Sequence, residues 1–192
     1  MAVMTQRLTF EDWRALPDDG TRYELLDGVL VEMPPPNVNH AIVVTTLMLW
    51  LGRAQIAGYG RVLAGPVAVL LDPTLRRQNA PEPDVFFIRR EREHIVRLAA
   101  IEGAPDLVIE ILSPGNRAND SVGGVKWRLY QRFAVPHYWV VDLPAQTVTQ
   151  FALVGSAFGA PVVCGLGDTL ESSLLPGITL PVADLFFDLR SE

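Results

Sequence analysis

The sequence has a single cysteine, Cys164, among its 192 residues. One thiol excludes an internal disulfide and any cysteine-rich zinc site within this chain. The three histidines also lack the short, regular spacing of zinc ligands. A hydrophobic core must therefore stabilise the fold, and a chain of this length is large enough to bury one.

Long apolar runs are missing as well. The longest, Ala41–Leu51 and Val62–Leu71, are too short to cross a bilayer, and Gly65-Pro66 interrupts the second. The sequence becomes polar and charged within its first seven residues, unlike the apolar region of a secretory signal. We therefore expect a soluble, cytoplasmic protein with no membrane partner.

The sequence has no excess of basic residues. It contains 16 Lys and Arg against 22 Asp and Glu, a formal net charge of −6. This balance argues against a broad electrostatic contact with nucleic acid, although it permits a local basic patch. Both common phosphate-binding motifs, GxxxxGK[ST] and GxGxxG, are absent. Ser113 also lacks the GxSxG context of a serine hydrolase.

The pattern along the chain predicts one domain, residues 1–192, of the α/β (α+β) class. A helix buried over most of its circumference is expected near Asn39–Ala54, and a solvated helix at Arg89–Arg97. The expected strands are Tyr23–Leu26, Val29–Met33, Arg61–Leu71, Asp84–Ile88, Asp106–Leu112, His137–Asp142 and Thr147–Leu153, with a further helix at Val122–Phe133. A central mixed sheet flanked by helices is the simplest arrangement of this order.

Glu110 is an acid in the middle of the most apolar predicted strand, Asp106–Leu112. Alternation places Asp106, Val108 and Glu110 on one face of that strand. Burial of an ionised carboxylate costs several kcal/mol, on the order of the whole stability margin, unless a cation or donor compensates. The alternative is a glutamate at the sheet end, in water or paired with an arginine.

Asp84 is a second acid, at the start of the strand that follows Pro83. By itself an aspartate after proline is common in plain turns. Together with Glu110, however, it would place two hard oxygen ligands at neighbouring strand ends. Mg²⁺ typically takes one or two carboxylates and keeps several waters.

Lys126 is the only lysine, since the other 15 basic side chains are arginines. It shares a helical stripe with Leu129, Tyr130 and Phe133, so it is predicted to point inward. Arginine cannot replace the compact point charge of an ammonium group. The alternative is a lysine that occurs by chance and extends to the surface.

Three further groups of residues have two interpretations each. Glu24 is either a third acid of the site or an outward residue of the first hairpin, and His40 is either near the site or a helix cap. The arginines Arg76, Arg77, Arg117, Arg128 and Arg132 either contact phosphates or are ordinary solvated charges.

Five segments, in this order, resemble the Uma-type family of restriction endonucleases, in the PD-(D/E)XK nuclease superfamily. The resemblance spans about Leu8 to Phe187. It is carried by Tyr23-Glu-Leu-Leu-Asp-Gly28, Pro81-Glu-Pro-Asp-Val85, Pro105–Pro114, Lys126-x-x-x-Tyr130 and Val135–Asp142.

The resemblance implies a restriction-endonuclease-like central mixed sheet flanked by helices, with a divalent metal at the sheet edge. Asp84 matches the aspartate after proline, and Glu110 matches the strand acid. The superfamily's usual lysine position, two residues after that acid, is Leu112 here. Lys126 matches a family lysine on the next helix, although Gly123-Gly124 loosens the spacing before it.

On this resemblance the expected catalytic residues are Asp84, Glu110, Lys126 and Glu24. The expected ligands of Mg²⁺ (or Mn²⁺) are Asp84, Glu110 and the carbonyl oxygen of Ile111. The expected function is metal-dependent endonuclease hydrolysis of phosphodiester bonds, with DNA favoured as the nucleic-acid partner.

The alternative function is a catalytically inactive nuclease-fold binding module or partner subunit. The apolar tail, with Leu185, Phe186 and Phe187, is expected either to pack within the chain or to form a homodimer seam.

Overall fold

The computed structural model describes residues 7–74, 76–113 and 117–186. The α-helices are α1 (Phe10–Arg14), α2 (Val38–Ile56), α3 (Arg117–Asp120) and α4 (Val125–Arg132), and two 3₁₀-helices span Arg90–Ile95 and Val182–Leu185. None of the helices in the described ranges is both long and apolar enough to cross a membrane.

Thirteen short strands occur in the described part of the chain. They are β1 (Tyr23–Leu26), β2 (Val29–Glu32), β3 (Gly60–Ala64), β4 (Val69–Leu70), β5 (Val85–Arg89), β6 (Ile101–Glu102), β7 (Leu107–Leu112), β8 (His137–Asp142), β9 (Thr147–Val154), β10 (Ala157–Phe158), β11 (Val162–Cys164), β12 (Thr169–Leu170) and β13 (Leu180–Pro181).

Seven of these strands form the central sheet. Its order is β10-β9-β8-β7-β5-β3, and β11 also pairs with β9. The β7–β8 pair is parallel, and the other pairs of this sheet are antiparallel. The predicted mixed sheet flanked by helices is confirmed.

The two faces of β7 contribute to two separate hydrophobic cores. Leu107, Ile109 and Ile111 pack in the core that contains α2, whereas Val108 and Leu112 pack in the core that contains α4. Glu110 shares the second face, as the alternation of a strand requires. The central strand therefore presents its one internal acid toward α4.

The parallel pairing of β7 and β8 explains why α4 lies over this face. Two parallel neighbours need a crossover connection, because a tight turn cannot return the chain to the starting end. Here the crossover contains α3 and α4. The helix that follows β7 is thereby brought back across the strand that carries Glu110.

The first hairpin forms as Asp27-Gly28 predicts. Asp27 has φ 49° and Gly28 has φ 74°, the paired positive values of a type I′ turn. A side chain at position 28 would also lie 2.5 Å from Cβ of Arg7. Leu25 forms a bridge to Ala80, so β1 is fixed beside the segment that leads to Asp84.

The structure refines three local expectations. Helix α2 is buried or half-buried over most of its circumference, as predicted, but Leu49 lies on its exposed stripe and is 72% exposed. The apolar run at 61–71 forms two strands, β3 and β4, separated by a cis Gly65-Pro66 bond. The solvated helix expected at 89–97 forms as a 3₁₀-helix over Arg90–Ile95, and Arg89 is the last residue of β5.

The described part of the apolar tail packs within the chain. Leu185 is fully buried in the core that contains α2, and Phe186 packs against the same core. Phe187 lies outside the described residues.

Replacement of Ile109 by alanine should lower the free energy of unfolding by about 3 kcal/mol. Ile109 is completely buried in β7, between Val85 and Trp139, so the smaller side chain leaves a cavity. Urea unfolding provides the measurement. The control is Leu49→Ala on the exposed side of α2, which should change stability by less than about 0.5 kcal/mol. Equal losses in both variants would contradict the assigned core.

Candidate active site

Glu110 is a buried carboxylate at the centre of the molecule. Its side chain is 1% exposed. The Tyr130 hydroxyl donates a hydrogen bond of 2.6 Å to Oε1, and Lys126 Nζ lies 3.2 Å from Oε2. Both carboxylate oxygens of Glu110 thus contact side chains of α4. The alternative of a glutamate in water at the end of the sheet is therefore wrong.

Lys126 is completely buried among three carboxylates. Its Nζ lies 2.8 Å from Oε1 of Glu24, 3.2 Å from Oε2 of Glu110 and 3.2 Å from Oδ1 of Asp120. These acids come from β1, β7 and α3. The alternative of a lysine that extends to the surface is wrong, and so is the outward placement of Glu24.

Two neighbours of this cluster were not among the predicted site residues. Tyr130 lies one helical turn after Lys126 on the same face, so the i, i+4 spacing could have identified it. Asp120 is six residues before Lys126, and no helical or strand period connects the two positions. The Tyr138 hydroxyl donates to the backbone oxygen of Asp120 over 2.6 Å and fixes that end of α3.

Gly124 allows α3 and α4 to approach closely. A Cβ atom at this position would lie 2.4 Å from the carbonyl oxygen of Asn119. Gly123, with φ 79°, makes the sharp bend before it. The loosened Gly123-Gly124 spacing therefore does not displace Lys126 from the acids; instead it lets Asp120 join them.

Asp84 lies at the end of the sheet next to Glu110. The backbone N–H of Ile111 donates to Oδ2 of Asp84 over 2.7 Å. Nε2 of His40, in the first turn of α2, lies 2.9 Å from the other carboxylate oxygen. The structure thus places His40 beside Asp84, and the role of the Ile111 carbonyl oxygen stays a prediction.

A small pocket of about 50 Å³ opens beside Asp84. It is lined by Arg22, Met33, Pro34, Pro35, Pro36, His40, Asp84 and Ser113. His40 and Asp84 are each 14% exposed at the side chain, whereas Glu110 and Lys126 are enclosed behind them. Solvent therefore reaches this end of the site through Asp84.

A comparison with protein families identifies the chain. The family model described as "Uma2: Putative restriction endonuclease" matches residues 10–183. The chain belongs to the Uma2 family. No curated protein matches the sequence.

The Uma2 chain also resembles a solved structure. A crystal structure from Anabaena variabilis, described as "a putative nuclease belonging to DUF820", superposes with a TM-score of 0.70. The two chains are 18% identical, and the match covers 93% of this chain and 97% of the other. At this identity the likeness shows that the fold is shared.

The buried cluster of the Uma2 chain has more negative than positive groups. Burial raises the pKa of Glu24 to about 7, and Lys126 only partly offsets this effect. Burial likewise raises the pKa of Glu110 well above its usual range. For Lys126, burial lowers the pKa, but the surrounding carboxylates outweigh it and raise the pKa well above the ordinary value. Lys126 is therefore a permanent cation at neutral pH.

A restriction-endonuclease-like family usually implies a divalent metal ion. Within the described ranges, no three His, Cys, Asp or Glu side chains already converge in a metal-binding arrangement. The Lys126 ammonium instead lies between three of the carboxylates. The donor chemistry nevertheless fits, because carboxylate and carbonyl oxygens are the ligands that Mg²⁺ and Mn²⁺ prefer.

The metal-free protein should lose stability as the pH rises from 4.5 to about 7. Glu24 has a higher pKa folded than the ordinary 4.5, so the folded state binds a proton that the unfolded chain releases. This contribution to the free energy of unfolding is on the order of 3 kcal/mol and is fully present at pH values below the unfolded pKa of 4.5. It is lost as the pH rises through the folded pKa of about 7.

The measurement is chemical unfolding in EDTA across this pH range for the wild type and Glu24→Gln, which lacks the titrating carboxyl. The wild-type advantage over the variant should fall as the pH rises. A difference that is constant or increases with pH would contradict the assigned environment of Glu24.

Proposed function

We propose that this chain is a metal-dependent endonuclease that hydrolyses phosphodiester bonds in DNA, with residues 1–192 acting as one nuclease domain. The observation that supports this most directly is the contact of Lys126 with Glu110, beside Asp84. These residues lie on α4, on β7 and directly before β5. Two acids and one amine from distant parts of the sequence meet at one end of the sheet.

In this proposal Asp84, Glu110 and the carbonyl oxygen of Ile111 hold a Mg²⁺ or Mn²⁺ ion. When bound, the ion supplies a Lewis acid that lowers the pKa of water and neutralises charge on the attacked phosphate. Asp84 and Glu110 each have both oxygens in contact with protein groups. Each of these oxygens keeps a second lone pair, so the two carboxylates could hold the ion beside their protein contacts.

Lys126 stabilises negative charge rather than accepting a proton. Because its pKa is raised well above the ordinary value, it keeps its proton at neutral pH and cannot act as a general base. A fixed ammonium group in a water-poor site favours the charge that develops on the phosphate in the transition state. Glu24, 2.8 Å away, holds Nζ in place.

Tyr130 and His40 position the two acids. The Tyr130 hydroxyl fixes one oxygen of Glu110, and His40 fixes one oxygen of Asp84. Each acid is therefore oriented before substrate binds, which lowers the cost of organising the site.

Replacement of Glu110 by glutamine should reduce cleavage at least about 100-fold, because the site loses a charged ligand. The measurement is Mg²⁺-dependent nicking of supercoiled plasmid, with EDTA as the metal-free reference. The control is Glu91→Gln, at an exposed surface carboxylate, which should cleave like the wild type. Circular dichroism and thermal unfolding establish that both variants are folded.

Two results would overturn the proposal. One is full activity in purified, folded Glu110→Gln, which would show that this carboxylate is not required. The other is a wild-type protein that nicks no DNA with either Mg²⁺ or Mn²⁺, as an inactive nuclease-fold binding module would behave.

Replacement of Lys126 by methionine should separate metal binding from cleavage. The variant should bind Mn²⁺ more tightly, because the carboxylates lose their competing ammonium partner, and it should cleave at least about 100-fold more slowly. Isothermal titration calorimetry with Mn²⁺ and the plasmid assay provide the two readouts. Mn²⁺ should also raise the unfolding temperature of the variant by neutralising the buried acids. Weaker Mn²⁺ binding in a folded variant would contradict the placement of Lys126 among the ligands.

A further inference from the structure

A larger pocket lies at the opposite end of α4 from Lys126. Its volume is about 880 Å³. It is lined by Arg7, Asp27, Asp72, Thr74, Arg76, Gln78, Asn79, Arg132 and Phe133, and we refer to it as the arginine pocket. Arg132 is six residues after Lys126, a distance of about 9 Å along the helix axis. The pocket is therefore separate from the acid cluster but lies along the same helix.

The carboxylates of the arginine pocket are already engaged by the protein. Asp72 accepts hydrogen bonds from the backbone N–H groups of Gln78 and Asn79 and from the Asn79 side chain. Asp27 lies 2.6 Å from the Arg132 guanidinium. Asp27 is thus paired with Arg132, whereas Asp72 keeps its negative charge because its partners are neutral donors.

Arg7 and Arg76 form no ion pair with another described residue, and the three arginines and two aspartates of the lining give it a net charge of +1. Arg7 donates to the backbone oxygen of Asp27, which orients its side chain but leaves its charge uncompensated. In a protein with a formal charge of −6, this local excess of positive charge favours an anionic ligand. The protein therefore has the local basic patch that its negative net charge permits.

The cations continue from the pocket toward the acid cluster. Arg128 is exposed on α4 one turn before Arg132, so their Cβ atoms are about 6 Å apart. Its guanidinium donates to the carbonyl oxygen of Gly123, at the end of α4 near Lys126. The outer side of the helix thus connects the two sites with arginines.

The chemistry of the lining fits a phosphate group. Guanidinium groups bind phosphate oxygens through paired N–H donors, and the Thr74 hydroxyl and Gln78 amide add neutral donors. The Phe133 ring lies 4.7 Å from the Arg132 guanidinium, which holds that side chain at the pocket wall. We infer that the arginine pocket binds a backbone phosphate of the nucleic acid, away from the scissile bond, an inference that rests on the proposed function.

Arg76→Gln is the most direct test, because Arg76 forms no ion pair with another described residue whose loss could destabilise the fold. The probe is a fluorescein-labelled DNA duplex of about 30 base pairs, titrated by fluorescence anisotropy in EDTA at several salt concentrations. The variant should bind about tenfold more weakly at low salt, and its slope of log K against log salt should be smaller by about one.

The matched control is Arg53→Gln, at an exposed arginine of α2 on the opposite side of the sheet. It should leave both affinity and salt slope unchanged. Equal affinity and slope for Arg76→Gln and the wild type would overturn the inference. So would equal losses in Arg76→Gln and Arg53→Gln, since these would reflect overall charge rather than the pocket.

Free AMP, titrated in the same buffer, distinguishes a strand phosphate from a mononucleotide ligand. If Arg76→Gln abolishes AMP binding but leaves DNA binding intact, the pocket holds a free nucleotide and the inference is wrong. If the wild type nicks plasmid but Arg76→Gln binds DNA normally, the pocket has no role in DNA binding and the proposed function is retained. If instead DNA binding depends on Arg76 but the wild type nicks no DNA, the proposed function is wrong and the phosphate-binding role of the pocket is retained.

Discussion

The rest of the structure depends on one buried ion cluster, the ammonium group of Lys126 between three carboxylates. Glu24, Glu110 and Asp120 reach it from a hairpin, the central strand and a short helix. Removal of one charge from such a cluster leaves its partners uncompensated in a medium of low polarity. The cluster therefore connects the three elements and also defines the candidate catalytic centre.

Much of the framework could be predicted from local sequence. The Asp27-Gly28 hairpin follows from backbone preferences, and the two faces of β7 follow from alternation. Glu110 stood out because an acid in an apolar strand needs compensation, and Lys126 because it is the only lysine. These signals lie within single elements, which is why a sequence alone carries them.

The remaining features depend on contacts between distant elements. Asp120 joins the cluster only because Gly124 lets two helices approach closely, and His40 meets Asp84 across 44 residues. The exposure of Leu49 could not be predicted either, since the apolar pattern of α2 does not show which sides the rest of the fold covers. Tertiary packing decides all three.

Lys126 lies on α4, whereas β7 beside it carries only hydrophobic side chains and Glu110. Leu112, two residues after Glu110 on β7, is 4% exposed and packs in the core with α4. An amine at this position would have to displace a packed hydrophobic side chain and find its own compensating acid. A charge on the strand would therefore need several coordinated substitutions, whereas the helix already holds its lysine among three acids.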